Sequence, residues 1–208
     1  MSLSLWLALL GASVLLSFTP GAGAINTMAN ALSSGWWRSI WGILGQQLAL
    51  LVHVLIVAAG LGVLVVRTPW LFDTIRYVGA AYLVFLGVRQ FFSRASDDDA
   101  VRVSGAAPEP AFSMFRRGVL VNLTNPKAIV FFLAFLPQFV RPELPLAGQY
   151  TAFVATVVTV DVLVMWFFFA TTAHGLGRLT AGETGRRIVN RVFGSLFVGV
   201  GVLLAVMH

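Results

Sequence analysis

From Met1 to Trp37 the chain holds no Asp, Glu, Lys or Arg; its first charged residue is Arg38. An uncharged and largely apolar run of that length cannot be a solvated surface. About 20 apolar residues cross a bilayer as a helix, and five more runs of that kind follow. The expected spans are Leu3 to Asn30, Trp41 to Val66, Leu71 to Phe92, Gly118 to Phe139, Ala147 to Gly175 and Ile188 to Met207. Only 11% of the 208 residues are charged, against about 25% in a soluble domain. The chain therefore reads as an integral membrane protein. A membrane barrel would instead show weak alternation in segments of about ten residues. A secretory leader needs a basic start, which is lacking here, so the first run is expected to stay as a span.

The net charge of +6 does not point to nucleic acid, because the basic residues lie in short segments between apolar runs. Sorted by connection, they orient the chain. The first, third and fifth connections hold Arg38; Arg89, Arg94, Arg102, Arg116 and Arg117; and Arg178, Arg186, Arg187 and Arg191. The second and fourth hold Arg67, Arg76 and Arg141. Cytoplasmic loops are enriched in Lys and Arg, so the odd connections are expected in the cytoplasm and both termini outside, in the periplasm. The longest connection, residues 93–117, is polar and contains glycine and prolines. It reads as a flexible cytoplasmic linker.

Two proline motifs interrupt spans that should be smooth. "FTPGAGAI" opens the first half, and "LTNPKAIV" occupies the matching place in the second. "VHVLIV" around His53 pairs with "VDVLVM" around Asp161, and "RYVGAAYLV" from Arg76 pairs with "RVFGSLFVG" from Arg191. The offsets are 106, 108 and 115 residues. A unit with an odd number of spans, duplicated in tandem, must insert with opposite topology. The expected fold is all-α, six transmembrane helices as two inverted three-helix repeats (1–92 and 118–208) with broken first helices. Paired breaks in such repeats point to a binding site near the midplane. Pro20 and Pro126 each remove a backbone donor and disfavour helical geometry at the preceding residue, while Gly21 and Gly23 allow close backbone approach. Broken backbone at membrane depth must be buried in protein or line a cavity, and half-helix N-termini there present N–H groups to an anionic substrate group. Ordinary proline kinks are the competing reading.

Three ionisable side chains lie deep in spans: His53, Lys127 and Asp161. A charge at the bilayer centre costs about 2.5–3.5 kcal/mol even on a lenient scale, so such groups pair or face an aqueous path. Asp161 is the leading carboxylate for proton coupling or for binding an amine; the alternative is a structural ion pair with Lys127. His53 can relay protons or simply hydrogen-bond a neighbouring helix. Lys127 can neutralise a substrate carboxylate or Asp161, or snorkel to an interface. Asn26, Gln46, Gln47, Asn122 and Asn125 are candidate cavity liners, or interhelical hydrogen bonds. Asp73 with Arg76 reads as a local surface pair, and Gly79–Ala80 with Gly194–Ser195 as small packing faces. There is no cysteine, there are three histidines, and no HExxH or GxSxG motif occurs. Neither a metal site nor a cofactor is expected, and the chain does not read as an enzyme.

At these residues the sequence resembles the LysE/RhtB family of bacterial amino-acid exporters over essentially its whole length. "LSFTPGAGAINTM", "LVNLTNPKAIVFF", "FLPQF", "GAAYLVFLG" and "FGSLF" occur in the family's order and spacing. The likeness is strongest to the homoserine/homoserine-lactone branch, with Thr19 replacing the serine common before that proline. The resemblance implies an inner-membrane location, efflux from the cytoplasm and coupling to protons. Substrates in the family include basic, neutral and hydroxylated amino acids. The expected partners are a small amino acid, protons and the lipid bilayer, and the sequence leaves a homo-oligomer open. A passive channel and a membrane-embedded enzyme are the competing classes.

Overall fold

In a computed structural model the chain is described for residues 2–67, 69–92, 109–141, 144–173 and 183–206. Among these residues the regular structure is entirely helical. Helix α1 (Leu3–Phe18) starts on Ser2, whose hydroxyl accepts from Leu5 N, and it stops where Pro20 demands: Thr19 is extended, at φ −74° and ψ 112°. After that break α2 (Ala22–Ser34) continues at an angle of 56°. It ends at Gly35, whose φ of +91° lies in the region that only glycine enters freely. A short 3₁₀ turn (Trp37–Ser39) leads into α3 (Ile40–Arg67), and α4 (Pro69–Phe92) follows.

The second half repeats this order. Helix α5 (Ala111–Leu123) gives way at Asn125 to α6 (Pro126–Phe139), bent by 60°. Pro126 sits at the first position of α6, where no N–H is needed. Next comes α7 (Leu146–Leu163), prolonged by π-helical turns (Val164–Ala170) as far as Ala173, and then α8 (Glu183–Val206). Among the described residues, Trp37–Gly60, Leu146–Ala173 and the two bent pairs are long and apolar enough to cross a bilayer. Helices α4 and α8, 24 residues each, stand where the third and sixth spans are expected. At 1.5 Å per residue each is about 36 Å long.

Helix α5 begins seven residues before the expected start of the fourth span. Met114 explains the difference: it is fully buried, so this turn has an apolar anchor that a linker lacks. The rest of the connection, residues 93–108, lies outside the described residues, as do the side chains of Asp73 and Arg76 and the surroundings of Gly79.

Glycine sets the closest helix contacts. A Cβ on Gly87 of α4 would come 2.7 Å from the Gly194 carbonyl oxygen, and one on Gly194 of α8 would come 2.6 Å from that of Gly87. A side chain on Gly118 of α5 would likewise strike the Gly42 carbonyl of α3. Small residues permit this approach where lipid supplies no hydrophobic drive between helices. The core is aromatic: Phe131, Phe135 and Phe139 follow one face of α6 and meet Phe153 of α7, all four shut off from solvent. Phe131 and Phe135 stack at 4.4 Å, Phe135 and Phe139 at 5.8 Å. Large apolar residues such as Leu3, Leu55 and Phe92 point outward, as a lipid-facing surface allows.

The π-helical stretch was not legible in the sequence. Such segments are rare and frequent at functional sites. Here the Trp166 carbonyl accepts from Trp36 Nε1 at 3.0 Å, and Trp166 Nε1 donates to the Trp36 carbonyl at 3.3 Å. The two rings stack at 4.7 Å, 10° from parallel. This reciprocal pair fastens the end of α2 to the continuation of α7.

Candidate functional site

The two helix breaks meet at a cavity of about 50 Å³, room for a few water molecules. Its polar lining comes from both halves of the chain. Ser17, Thr19, Gly21 and Gly23 belong to the first break, Asn122, Asn125 and Lys127 to the second, Gln46 to α3 and Asp161 to α7.

Lys127 resolves the backbone problem created by Pro20. Ending α1 at Phe18 leaves carbonyls without helical donors. Lys127 Nζ donates to the Leu16 carbonyl at 2.7 Å and also to that of Thr19. The ammonium of one half thus caps the broken helix of the other. Asn125 performs the local task at α6, its Oδ1 accepting from Lys127 N at 3.1 Å. By contrast Gly21, at the head of α2, brings no side-chain cap. The positive end of α2 therefore borders the cavity through Gly21 and Gly23, a setting suited to a carboxylate.

Asp161 receives two hydrogen bonds from elements far away in sequence. Ser17 Oγ donates to its Oδ1 at 3.1 Å, and Gln47 Nε2 to its Oδ2 at 2.7 Å. Lys127 and Asp161 attract each other electrostatically and both line the cavity. Gln46 ties the surrounding elements together. Its Nε2 donates to the Gly23 carbonyl and to Thr27 Oγ1, each at 3.1 Å, and its own carbonyl accepts from Asn122 Nδ2 at 2.9 Å. A cation, an uncapped helix N-terminus and a carboxylate around one small space present charges that complement the two ends of a zwitterion.

The structure brings Gly21, Gly23, Asn122, Asn125, Lys127 and Asp161 together at the cavity. Pro20 and Pro126 are not lining residues; they shape the site through the backbone they interrupt. Asn26 is turned elsewhere, its Oδ1 accepting from Arg117 Nε at 3.0 Å. His53 is buried outside the lining: its ring stacks on Phe132 with centroids 5.8 Å apart, and its Nδ1 has no hydrogen-bond partner among the described residues. Phe132 lines the cavity, so His53 is one side chain removed from it. Ser17 and Gln47 hold Asp161, a role the sequence reading did not assign them. The available signal for Ser17 was a hydroxyl in the last apolar turn before a Pro–Gly break.

The chain matches the LysE family, described as LysE type translocator, over residues 14–208. It is 38% identical over 205 residues to the homoserine/homoserine lactone efflux protein of Salmonella typhimurium, a match spanning 99% of this chain and 98% of that protein. An uncharacterized membrane protein of Vibrio cholerae is 39% identical over the same shares of the two chains. The leucine efflux protein of Enterobacter sp. (strain 638) is 28% identical over 207 residues, 99% of this chain and 97% of that protein. No solved structure matches. With apolar helices, two of them broken around an internal polar cavity, and a family match over nearly its whole length, the chain belongs to the LysE family of membrane translocators.

Proposed function

We propose that this protein exports a small amino acid of the homoserine, homoserine-lactone or threonine-like class from the cytoplasm, in exchange for protons. The observation that carries the reading is the placement of Lys127 and Asp161 on one small cavity at two helix breaks. The substrate ammonium approaches Asp161; its carboxylate, or the ring carbonyl of a lactone, approaches Lys127 and the head of α2. Export follows from competition: a proton taken up by Asp161 from outside displaces the ammonium, and loss of that proton inside restores the anion. His53 is the second candidate for the proton. The similarity to a homoserine efflux protein favours a short side chain. Another neutral, branched or basic amino acid is the alternative substrate, with the leucine efflux relative on its side. A passive channel is the alternative class.

In this reading the chain spans the bacterial inner membrane six times as two inverted three-helix repeats, 1–92 and 118–208, joined by a cytoplasmic linker. Both termini are periplasmic. Counterflow in proteoliposomes with labelled homoserine, threonine, leucine and lysine tests the function. Accumulation of homoserine or threonine, abolished by a protonophore when run uphill, is expected. Flux that never becomes concentrative indicates a channel. For the topology, a cysteine introduced at Ser2 of this cysteine-free chain is expected to react with an impermeant thiol reagent in intact spheroplasts. Reaction only after lysis refutes the orientation.

A further inference from the structure

A polar network on one side of the cavity has no part in the binding just described. Arg117, midway along α5, donates from Nε to Asn26 Oδ1 at 3.0 Å and from Nη2 to Asn30 Oδ1. Its Nη1 pairs with Glu109 Oε2 at 2.7 Å. Asn26 and Asn30 are one turn apart on α2 and both are buried. One guanidinium therefore straps α2, the second half of the first broken span, to α5, the first half of the other. Glu109 is itself anchored: Ser113 Oγ donates to its Oε1 at 2.6 Å, and Arg38 donates to its carbonyl at 2.9 Å.

The strap lies between the cavity and the end of the molecule that carries Glu109. Helix α2 leaves the cavity at Gly23 and reaches Asn26 and Asn30 within two turns. Helix α5 runs from Arg117 to the lining residue Asn122 in about one and a half turns. On the opposite side of the cavity the partner half-helices, α1 and α6, are joined through Lys127.

Beneath the strap the contact is incomplete. The Nδ2 groups of Asn26 and Asn30 are buried and have no hydrogen-bond partner among the described residues. They face Gly42 of α3: a Cβ there would come 3.3 Å from Asn26 Nδ2 and would strike Asn30 Nδ2. Leaving a buried donor unmet is unfavourable. Separating α2 from α5 would admit water to both amides and so offset part of the bonding lost with Arg117. Charge-assisted bonds from a half-exposed guanidinium (42%) over unmet donors make a contact poised between two arrangements rather than a fused core.

We propose that Arg117 is the latch of a gate on the Glu109 side of the cavity. While it holds Asn26, Asn30 and Glu109, that side is closed; when it lets go, α2 parts from α5 and the cavity opens there. The proposal rests on the reading of the cavity as the transport site. It is tested with a reporter cysteine at Val157, which lines the cavity, and a control cysteine at Ser33, exposed at the end of α2, which identifies the Glu109 face. A small impermeant methanethiosulfonate is applied to right-side-out and everted vesicles. Arg117→Gln is expected to speed labelling of the reporter about tenfold from the Glu109 face, the equivalent of one lost charge-assisted hydrogen bond, and to leave the other face unchanged. Arg117→Lys, which keeps the charge without the fork, falls in between. Glu109→Gln acts in the same direction and carries the test if Arg117→Gln fails to reach the membrane. A reactive reporter whose rate is unchanged in these variants, or rises equally from both faces, overturns the latch alone. A reporter unreactive from both faces in every variant overturns the latch together with the transport site. Labelling needs no transported substrate, so an error in the substrate leaves the outcome intact.

Discussion

Asp161→Asn inserts and folds but loses concentrative efflux. Asparagine keeps the size of the side chain and one oxygen that can still accept from Gln47; its NH2 takes the other position, where the Ser17 hydroxyl, which now donates to Asp161, can turn to accept. It cannot take up a proton, and it offers no negative charge to an ammonium. A hydrogen bond to a charged group contributes about 1.5–3 kcal/mol, so uphill homoserine efflux should fall about 10- to 100-fold. Downhill exchange survives in part, because the cavity and Lys127 remain. Asp161→Glu keeps partial activity. Proteoliposome efflux with and without an imposed pH gradient provides the measurement. Retention by Asp161→Asn of normal uphill efflux and its pH dependence assigns the coupling elsewhere, with His53 next in line.

Lys127→Met has the largest effect on the fold itself. It removes the donor to the Leu16 and Thr19 carbonyls and leaves Asp161 without the opposite charge it feels. The Leu16 carbonyl keeps the Thr19 N–H; the Thr19 carbonyl loses its donor at a cost of about 1–3 kcal/mol, and an orphaned charge at Asp161 adds to that. For a chain of this size a loss of about 2–4 kcal/mol lowers the melting temperature in detergent by about 5–10 °C, and transport falls below detection. Lys127→Arg keeps the charge with a different donor geometry and recovers stability more than transport. The decisive comparison is the double variant Lys127→Met with Asp161→Asn. If the two groups are coupled across the cavity, it is more stable than Lys127→Met alone; strictly additive losses would mean that they act independently.

These two residues show how far the sequence can be read. That Lys127 and Asp161 needed partners followed from their depth in apolar runs. Which partners they found did not: Leu16 lies 111 residues from Lys127, and Ser17 lies 144 from Asp161. His53 and Asn26 had the same credentials as cavity residues. The fold placed one against Phe132 and the other on Arg117. Arg117 itself was legible only as one more positive charge in a connection. The turn that carries it reads as linker because Ser113, Arg116 and Arg117 break up the short apolar set of Phe112, Met114 and Phe115.

By itself the sequence determined the class of structure and where it must break. Long uncharged runs have to cross a membrane as helices, since lipid leaves backbone groups no other partners. A proline in the middle of such a run has to interrupt the ladder, and the interruptions appear at Thr19–Pro20 and Asn125–Pro126 as expected. Only the tertiary structure decided which side chains face the cavity, that Lys127 completes the other half's broken helix, and that α7 passes into π-helical turns beyond Asp161. The reason is physical. In water, an apolar stripe marks the buried face of a helix. In a bilayer both the lipid-facing and the protein-facing surfaces are apolar, so periodicity says little about which way a helix is turned. The direction of each polar side chain is then settled by hydrogen bonds across the bundle, between residues that no local pattern connects.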